Sequence, residues 1–323
     1  MKIEREKIMS LLTKPEDLKQ DLKFQGLIYG QPGIGKSTLA ISAPNPVMVD
    51  AEKGLKRVEA RLRVPSLQAE SYEQILEFLN GDEIAPFETI VFDTMGRVLE
   101  LMEPYLIKKN PKNAQSNGAL SLAGYKARKI EFDNLLKLIR RLGKSVVFVA
   151  HEKEEKAGEE KIVRPDVAGA NGASLIKDLD FVGYMEAKGT KRTISFFPTE
   201  KYYAKNALQL DEVIQVPDTK DGNTFISERI VGVTKEKLKS QAELIKKYNE
   251  ELSKAEKIID NMNDPNKVIE QLENIEPIWD VKKRIFKSLK KQAEQLGFKY
   301  ENKQFIKAED IKDEKDVSDK IPA

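Results

Sequence analysis

One glycine-rich segment constrains this chain more than any other feature. Residues Gly30 to Ser37 read Gly-Gln-Pro-Gly-Ile-Gly-Lys-Ser and fit the pattern G-x4-G-K-S in full. Glycines let successive backbone N–H groups turn inward and cradle a phosphate, and the start of a helix adds the positive end of its dipole. The segment stands between an apolar run, residues 26–29, and a stretch of helical character. We therefore predict a phosphate-binding loop between a strand and a helix.

The side chains of this loop predict a site for ATP and Mg²⁺. Lys36 is expected to reach the β- and γ-phosphates as a point charge, and Ser37 to offer its hydroxyl to the metal. Asp93 ends the apolar run of residues 89–92, a position from which a carboxylate holds Mg²⁺ directly or through water. The predicted metal ligands are therefore Ser37 and Asp93. The predicted nucleotide contacts are Gly30, Gln31, Pro32, Gly33, Ile34, Gly35, Lys36, Ser37 and Thr38.

Apolar runs of strand length alternate with helical stretches through the first half of the chain. The predicted strands are 26–29, 46–49, 88–92 and 145–150, and the predicted helices include 36–42 and 126–142. This alternation predicts an α/β fold with a mostly parallel sheet. Two consecutive strands, 181–187 and 192–197, are joined at Lys188-Gly189-Thr190 and predict an antiparallel hairpin at the edge of the sheet.

Changes in pattern divide the chain into four expected regions. Residues 1–23 suggest a short charged helix with a connector, and 24–234 form the expected ATPase core. Residues 235–306 are expected to be helical and coiled-coil-like, because apolar residues recur in heptads from Leu238 to Met262. The charged tail, 307–323, is expected to be disordered.

Composition excludes several classes of site. The 323 residues include no cysteine and one histidine, which excludes disulfides, thiolate catalysis, cysteine zinc sites and histidine-rich metal sites. The net charge of +2 means that any nucleic-acid contact must come from local basic clusters. No run of about 18 apolar residues occurs, so no membrane-spanning helix is expected and the expected location is the cytoplasm.

Three further features resemble RecA. Asp50-Ala51-Glu52 follows the second strand, the fourth strand ends in Ala150-His151, and a glycine-rich stretch covers 166–174. Over residues 24–210 the combination is similar to the RecA-like phage ATPases that act as single-strand annealing proteins. The resemblance implies a RecA-type core in which Glu52 activates water. It also implies that His151 senses the γ-phosphate, where RecA itself has a glutamine.

The same resemblance implies two DNA-binding loops and a cation that acts across a subunit interface. The first loop would be 108–124, after Asp93. The second would be the glycine-rich stretch 166–174, which the chain reaches from His151 through the segment that carries Lys161 and Arg164. Lys205 would reach the ATP of a neighbouring subunit, with Lys201 and Arg192 as nearby candidates; a plain surface lysine is the alternative. The expected DNA contacts are Lys108, Lys109, Lys112, Lys161 and Arg164.

Three functions stay open on this basis. The first is an ATP-hydrolysing recombinase or annealing protein that binds single-stranded DNA and forms a homo-oligomer, a filament or a ring. The second is a RecA-fold helicase or helicase loader. The third is a nucleotide-dependent scaffold in DNA replication that recruits a replication or ssDNA-binding protein. Basic residues from Lys282 to Lys291 offer an auxiliary DNA site or a solvated helix face.

Overall fold

The structure is a computed structural model, and it describes residues 23–157, 160–167, 170–220, 222–272, 275–276 and 278–308. These residues belong to two compact units, one that ends at Glu236 and one that begins at Lys237. The expected boundary, between residues 234 and 235, lies two positions earlier. The expected N-terminal helix and charged tail lie outside the described residues, apart from their inner ends.

The first unit is built on a central sheet, and one of its strands is only two residues long. The strands are β1 (Gln25–Gly30), β2 (Pro46–Asp50), β3 (Ser66–Gln68), β4 (Thr89–Asp93), β5 (Ser145–Ala157), β6 (Glu160–Pro165), β7 (Phe181–Lys188), β8 (Lys191–Ser195), β9 (Lys205–Asn206) and β10 (Val213–Val216). Among the described residues their order is β10-β8-β7-β1-β5-β4-β2-β3, with β6 paired to β5 and β9 to β7. In this order, neighbouring strands from β7 to β3 pair in parallel, whereas β8 pairs antiparallel with both β7 and β10. The predicted mostly parallel sheet and its antiparallel edge hairpin are confirmed.

Helices cover the sheet and continue into the second unit. They are α1 (Lys36–Ala40), α2 (Tyr72–Asn80), α3 (Met95–Lys109), α4 (Leu122–Arg141), α5 (Ala170–Asp178), α6 (Val233–Asp260), α7 (Pro265–Leu272) and α8 (Val281–Gln295). A π-helical segment, Ile226–Gly232, precedes α6, and short 3₁₀ turns include Leu55–Arg57 and Pro111–Asn113.

The core forms because alternate residues of each central strand face opposite sides of the sheet. In β4, Ile90 and Phe92 join the cluster that packs against α2, α3 and α4, while Val91 joins the cluster on the α1 side. All five residues of β4 are buried. Burial on both faces is what makes such strands read as continuous apolar runs in the sequence.

Three expectations about this unit are wrong. Strand β5 does not end at Ala150 but continues to Ala157 and pairs with β6 as a hairpin. Helix α3 occupies the chain directly after β4, so the expected first DNA loop begins inside a helix. Helix α5 begins at Ala170, so the latter part of the expected glycine-rich loop is helical. The extension of β5 pairs with the strand that directly follows it in the chain.

The second unit has its own apolar core. The heptad residues Tyr248, Ala255 and Ile259 of α6, and Met262 two residues beyond its end, are buried in one cluster with residues of α7 and α8. A short hairpin, β11 (Phe298–Glu301) with β12 (Gln304–Lys307), adds Phe305 to the same cluster. The helical C-terminal region is therefore confirmed, and this part of the heptad stripe packs within the unit itself rather than against a coiled-coil partner.

Within the described part of the chain, no helix is both long enough and apolar enough to cross a membrane.

Replacing Phe148 with alanine is expected to lower the free energy of unfolding by about 3–5 kcal/mol. Its ring is fully buried in β5 and stacks on Phe92 at 5.6 Å between ring centroids. The measurement is the urea unfolding midpoint. The matched control is Phe197→Ala, because Phe197 is 43% exposed and its loss leaves no cavity. Equal shifts for both variants would contradict the assigned core.

Candidate nucleotide-binding site

The site forms where four parallel strands end at the same edge of the sheet. The register pairs Gly30 of β1 with His151 of β5, and Asp50 of β2 with Asp93 of β4. The phosphate loop, the turn after β2 and the ends of β4 and the parallel part of β5 therefore surround one cavity of about 320 Å³. Ligands of open α/β sheets bind at this edge, beyond the carboxyl ends of the strands.

The phosphate loop adopts a conformation that only glycine accepts easily. Gly33 and Gly35 have φ of 78° and 100°, in the left-handed region. The buried Lys36 folds back over the loop, and its Nζ donates to the carbonyl oxygens of Gly30 at 2.9 Å and Gln31 at 2.7 Å. Burial lowers the pKa of Lys36, against the opposing effect of nearby Asp93 and Glu52. The ammonium thus stands inside the loop, where the motif places a phosphate.

Asp93 and Ser37 come together as predicted metal ligands. Asp93 is buried at the end of β4 and hydrogen-bonds to the Ser37 side chain. Burial raises the pKa of Asp93 to about 6, an effect to which Glu52 and Asp50 add and which Ser37 and Lys36 oppose. A buried carboxylate with a raised pKa gains from a cation beside it. Mg²⁺ is commonly held by one or two protein oxygens with phosphate and water, so these two side chains fit it.

Glu52 is held by two donors at the mouth of the cavity. Its Oε1 accepts hydrogen bonds from Thr94 Oγ1 and from His151 Nε2, both at 2.8 Å. Burial favours a higher pKa for this carboxyl group, but the hydrogen bonds from Thr94 and His151 outweigh it and the pKa is lowered. Glu52 is therefore ionised at neutral pH and fixed in orientation, as a general base requires.

Asp50 and Thr94 support Glu52, although no role was predicted for either of them. The buried Asp50 carboxylate accepts from the backbone N–H of Gly54 at 2.8 Å and of Leu55 at 2.9 Å. These bonds hold the turn that presents Glu52. The Asp-Ala-Glu pattern includes Asp50, but only the folded turn shows which backbone groups it holds.

His151 lies within β5 rather than at its end. Its Nδ1 is buried and has no hydrogen-bond partner among the described residues. Because Nε2 contacts Glu52 and β5 continues into the β5–β6 hairpin, His151 stands between the nucleotide cavity and an exposed surface element.

Lys205 is not free to extend towards a neighbouring subunit. Its Nζ donates to the carbonyl oxygens of Ile176 at 3.1 Å and Lys177 at 3.0 Å, at the carboxyl end of α5. Helix ends leave unpaired carbonyl groups that a lysine satisfies well. This contact opposes the expected catalytic role in trans and gives Lys205 a structural one.

The expected DNA-contacting residues form two separate groups. Lys108 and Lys109 lie in the last turn of α3, and Lys112 lies in the adjoining 3₁₀ turn. Helix rise places Lys108 roughly 20 Å along the axis from Met95, so this group does not begin beside the γ-phosphate position as expected. Lys161 and Arg164 lie on β6, paired with Glu154 and Glu155 at 2.6 and 3.0 Å.

Two arginines line the nucleotide cavity. Arg57 lies at the end of the 3₁₀ turn after Glu52, and no sequence pattern marked it. Arg192 was considered as a cation acting in trans, yet it lines the cavity of its own chain.

Lys36→Ala is expected to abolish ATP binding, because it removes the charge that stands inside the phosphate loop. Binding of a fluorescent ATP analogue to the folded variant is the measurement. Lys53→Ala is the matched control, since Lys53 is an exposed residue of the turn after β2 and pairs with Glu70. Wild-type affinity in Lys36→Ala would overturn the assignment of the loop.

Glu52→Gln is expected to bind ATP normally and to hydrolyse it about 10²–10⁴-fold more slowly, because the amide keeps the shape but cannot accept the proton. Single-turnover hydrolysis measures the effect. Glu59→Gln is the control, being an exposed glutamate of the same connection. Unchanged turnover would make Glu52 an ordinary loop residue.

A search of curated proteins finds no match. Among solved structures, the crystal structure of the RadB recombinase matches with 19% identity and a TM-score of 0.34, covering 53% of this chain and 79% of that chain. The family profile described as an AAA domain matches residues 22–208. That match spans more than half of the chain, including the phosphate loop, Glu52, Asp93 and His151, and the chain therefore belongs to the AAA domain family.

Proposed function

We propose that this chain is an ATP-hydrolysing protein that binds single-stranded DNA in recombination, as a RecA-like recombinase or a single-strand annealing protein. ATP with Mg²⁺ is the proposed substrate, and a homo-oligomer is the proposed working form. In this proposal Lys36 holds the β- and γ-phosphates, Ser37 and Asp93 hold the metal, and Glu52 accepts the proton of the attacking water. The fixed, ionised Glu52 supports the hydrolytic step.

The hydrogen bond between His151 and Glu52 supports the proposed coupling between the nucleotide site and DNA binding. Strand β5 runs without a break from His151 into the hairpin, whose register extends from Glu152 opposite Pro165 to Ala157 opposite Glu160. Any shift of Glu52 on nucleotide binding or hydrolysis therefore acts at the base of this hairpin. A local change in hydrogen bonding that reorients a surface element is a common form of ligand switch.

The two groups of expected DNA-contacting residues carry cations that favour contact with a phosphate backbone. One group is Lys108, Lys109 and Lys112, and the other is Lys161 and Arg164. Lys108 has a side chain that is 80% exposed, with its Nζ 3.4 Å from Glu73. Lys161 and Glu154 form an exposed pair, and such pairs contribute only about 0–1 kcal/mol. DNA phosphates can therefore replace these carboxylates at small cost. The resulting contacts are independent of base sequence and sensitive to salt.

The second unit supports a second candidate function, a nucleotide-dependent scaffold in DNA replication. Helix α8 carries an exposed set of lysines that have no carboxylate partner among the described residues: Lys282, Lys283, Lys287, Lys290 and Lys291. A basic helix face of this kind suits an acidic protein partner or DNA.

The wild-type protein is expected to bind single-stranded DNA more tightly than duplex, with an affinity that falls as salt rises. Changing Lys108, Lys109 and Lys112 together to glutamine should weaken binding to all sequences and flatten the salt slope by about one unit for each lost phosphate contact. Fluorescence anisotropy across a salt titration measures both quantities, and ATP binding should persist.

The matched control changes Lys283, Lys287 and Lys291 of α8 to glutamine. A loss of affinity confined to this control would place the DNA site in the second unit. Absence of single-stranded DNA binding by the wild type, with ATP bound, would favour the scaffold.

A further inference from the structure

Two guanidinium groups in the nucleotide cavity differ from most arginines of this unit. Arg57 and Arg192 form no ion pair or side-chain hydrogen bond within the described part of the chain. Five other arginines of the unit pair with carboxylates: Arg61, Arg97, Arg128, Arg140 and Arg164. Arg63 donates to backbone carbonyl oxygens, and Arg141 and Arg229, which also lack such partners among the described residues, are exposed and do not line the cavity. Guanidinium groups that line a concave site without a carboxylate partner are suited to bind an anion.

Arg192 packs directly on the phosphate loop of its own chain. Its Nη1 lies 2.7 Å from the position that a Cβ on Gly35 would occupy. Gly35 immediately precedes Lys36, so the guanidinium rests on the bare backbone of the loop. Arg192 is also half-buried, because β8 pairs with β7 and β10 on either side. Its position is therefore set by the sheet and not by a mobile loop.

Arg57 is presented from the opposite side by the turn that Asp50 holds. Arg57 lines the nucleotide cavity together with Lys36 and Asp93, and it shares a second cavity with Glu52. If Glu52 activates water, the γ-phosphate must face Glu52, so Arg57 lies on the γ-phosphate side of the site. Arg192 instead shares an adjoining cavity with Thr38 and Asn223, on the side of the loop away from Glu52. Because Glu52 marks the γ-phosphate end, a cavity that Glu52 does not line corresponds to the α-phosphate end of a bound nucleotide.

We propose that Arg57 and Arg192 clamp the polyphosphate of a nucleoside triphosphate bound to their own chain, Arg57 at the γ-phosphate and Arg192 at the α-phosphate. This inference rests on the proposed nucleotide function of the loop. The α-phosphate keeps its charge during hydrolysis, whereas charge on the γ-phosphoryl group and its leaving oxygen is redistributed. The two arginines therefore act on different kinetic parameters.

Arg192→Ala is expected to weaken ADP and ATP alike and to raise KM roughly 10- to 100-fold with kcat nearly unchanged, because its contact is the same in ground and transition states. Arg57→Ala is expected to leave ADP affinity unchanged and to lower kcat by roughly 10- to 100-fold. Arginine-to-lysine variants should recover only part of the loss, since lysine lacks the planar fork. Equilibrium binding of fluorescent ADP and steady-state hydrolysis measure these effects.

Arg61→Ala and Lys191→Ala are the matched controls, being neighbours of the two arginines outside the cavity. An equimolar mixture of Lys36→Ala with Arg192→Ala, and another with Arg57→Ala, separates action in cis from action in trans. Action in cis predicts no recovery of hydrolysis on mixing, because no chain has a complete site. Recovery would overturn the proposal and assign the arginine to a neighbouring subunit.

Wild-type nucleotide binding distinguishes the remaining outcomes. If the wild type binds ATP and both alanine variants keep wild-type ADP affinity, KM and kcat, the clamp is wrong and the proposed function stands. If the wild type binds no nucleotide, both fail. Melting temperatures of the variants and the lysine replacements show whether a loss reflects the contact or the fold.

Discussion

The backbone register of the parallel strands is the constraint on which the site depends. It sets Gly30 beside His151 and Asp50 beside Asp93, so that groups from four distant segments meet at one edge of the sheet. Side chains alternate between the two faces of a strand, and a slip of one residue would turn a side chain to the other face. The observed register turns the His151 side chain to the face on which it can hydrogen-bond to Glu52. The fully buried β4 and the apolar clusters on both faces hold the register in place.

Two carboxyl groups of the cavity, Asp93 and Glu52, lie in different environments that shift their pKa values in opposite directions. Asp93 is buried next to Ser37 and its pKa is raised to about 6, whereas Glu52 is held by two donors and its pKa is lowered. Pushing the pKa values of neighbouring carboxyl groups apart separates their roles. Asp93 is suited to a cation, and Glu52 to a proton. Lys36 completes the arrangement, because its ammonium group donates to loop carbonyl oxygens from within the loop.

Strand β5 belongs to two parts of the molecule at once. Up to His151 it pairs with β1 and β4 in the centre of the sheet. Beyond His151 its partner among the described residues is β6, in a hairpin that is partly buried at its base and exposed further out. A continuous strand transmits displacement better than a flexible connection. This gives the proposed coupling between nucleotide state and an external surface a physical route. The unit that begins at Lys237 has its own core.

The sequence alone determined the phosphate loop, the positions of Asp93 and Glu52, the mostly parallel sheet and the edge hairpin. Those predictions succeed because glycine spacing, apolar runs and strand-end carboxylates are local patterns with few alternative meanings. Tertiary structure decided the extension of β5, the helix after Asp93 and the different position of Lys205, which caps α5. It also decided that Arg57 and Arg192 face the same cavity, although they are far apart in the chain. No local pattern encodes the contacts of Lys205 or the meeting of the two arginines, because both depend on which distant groups become neighbours once the sheet has formed.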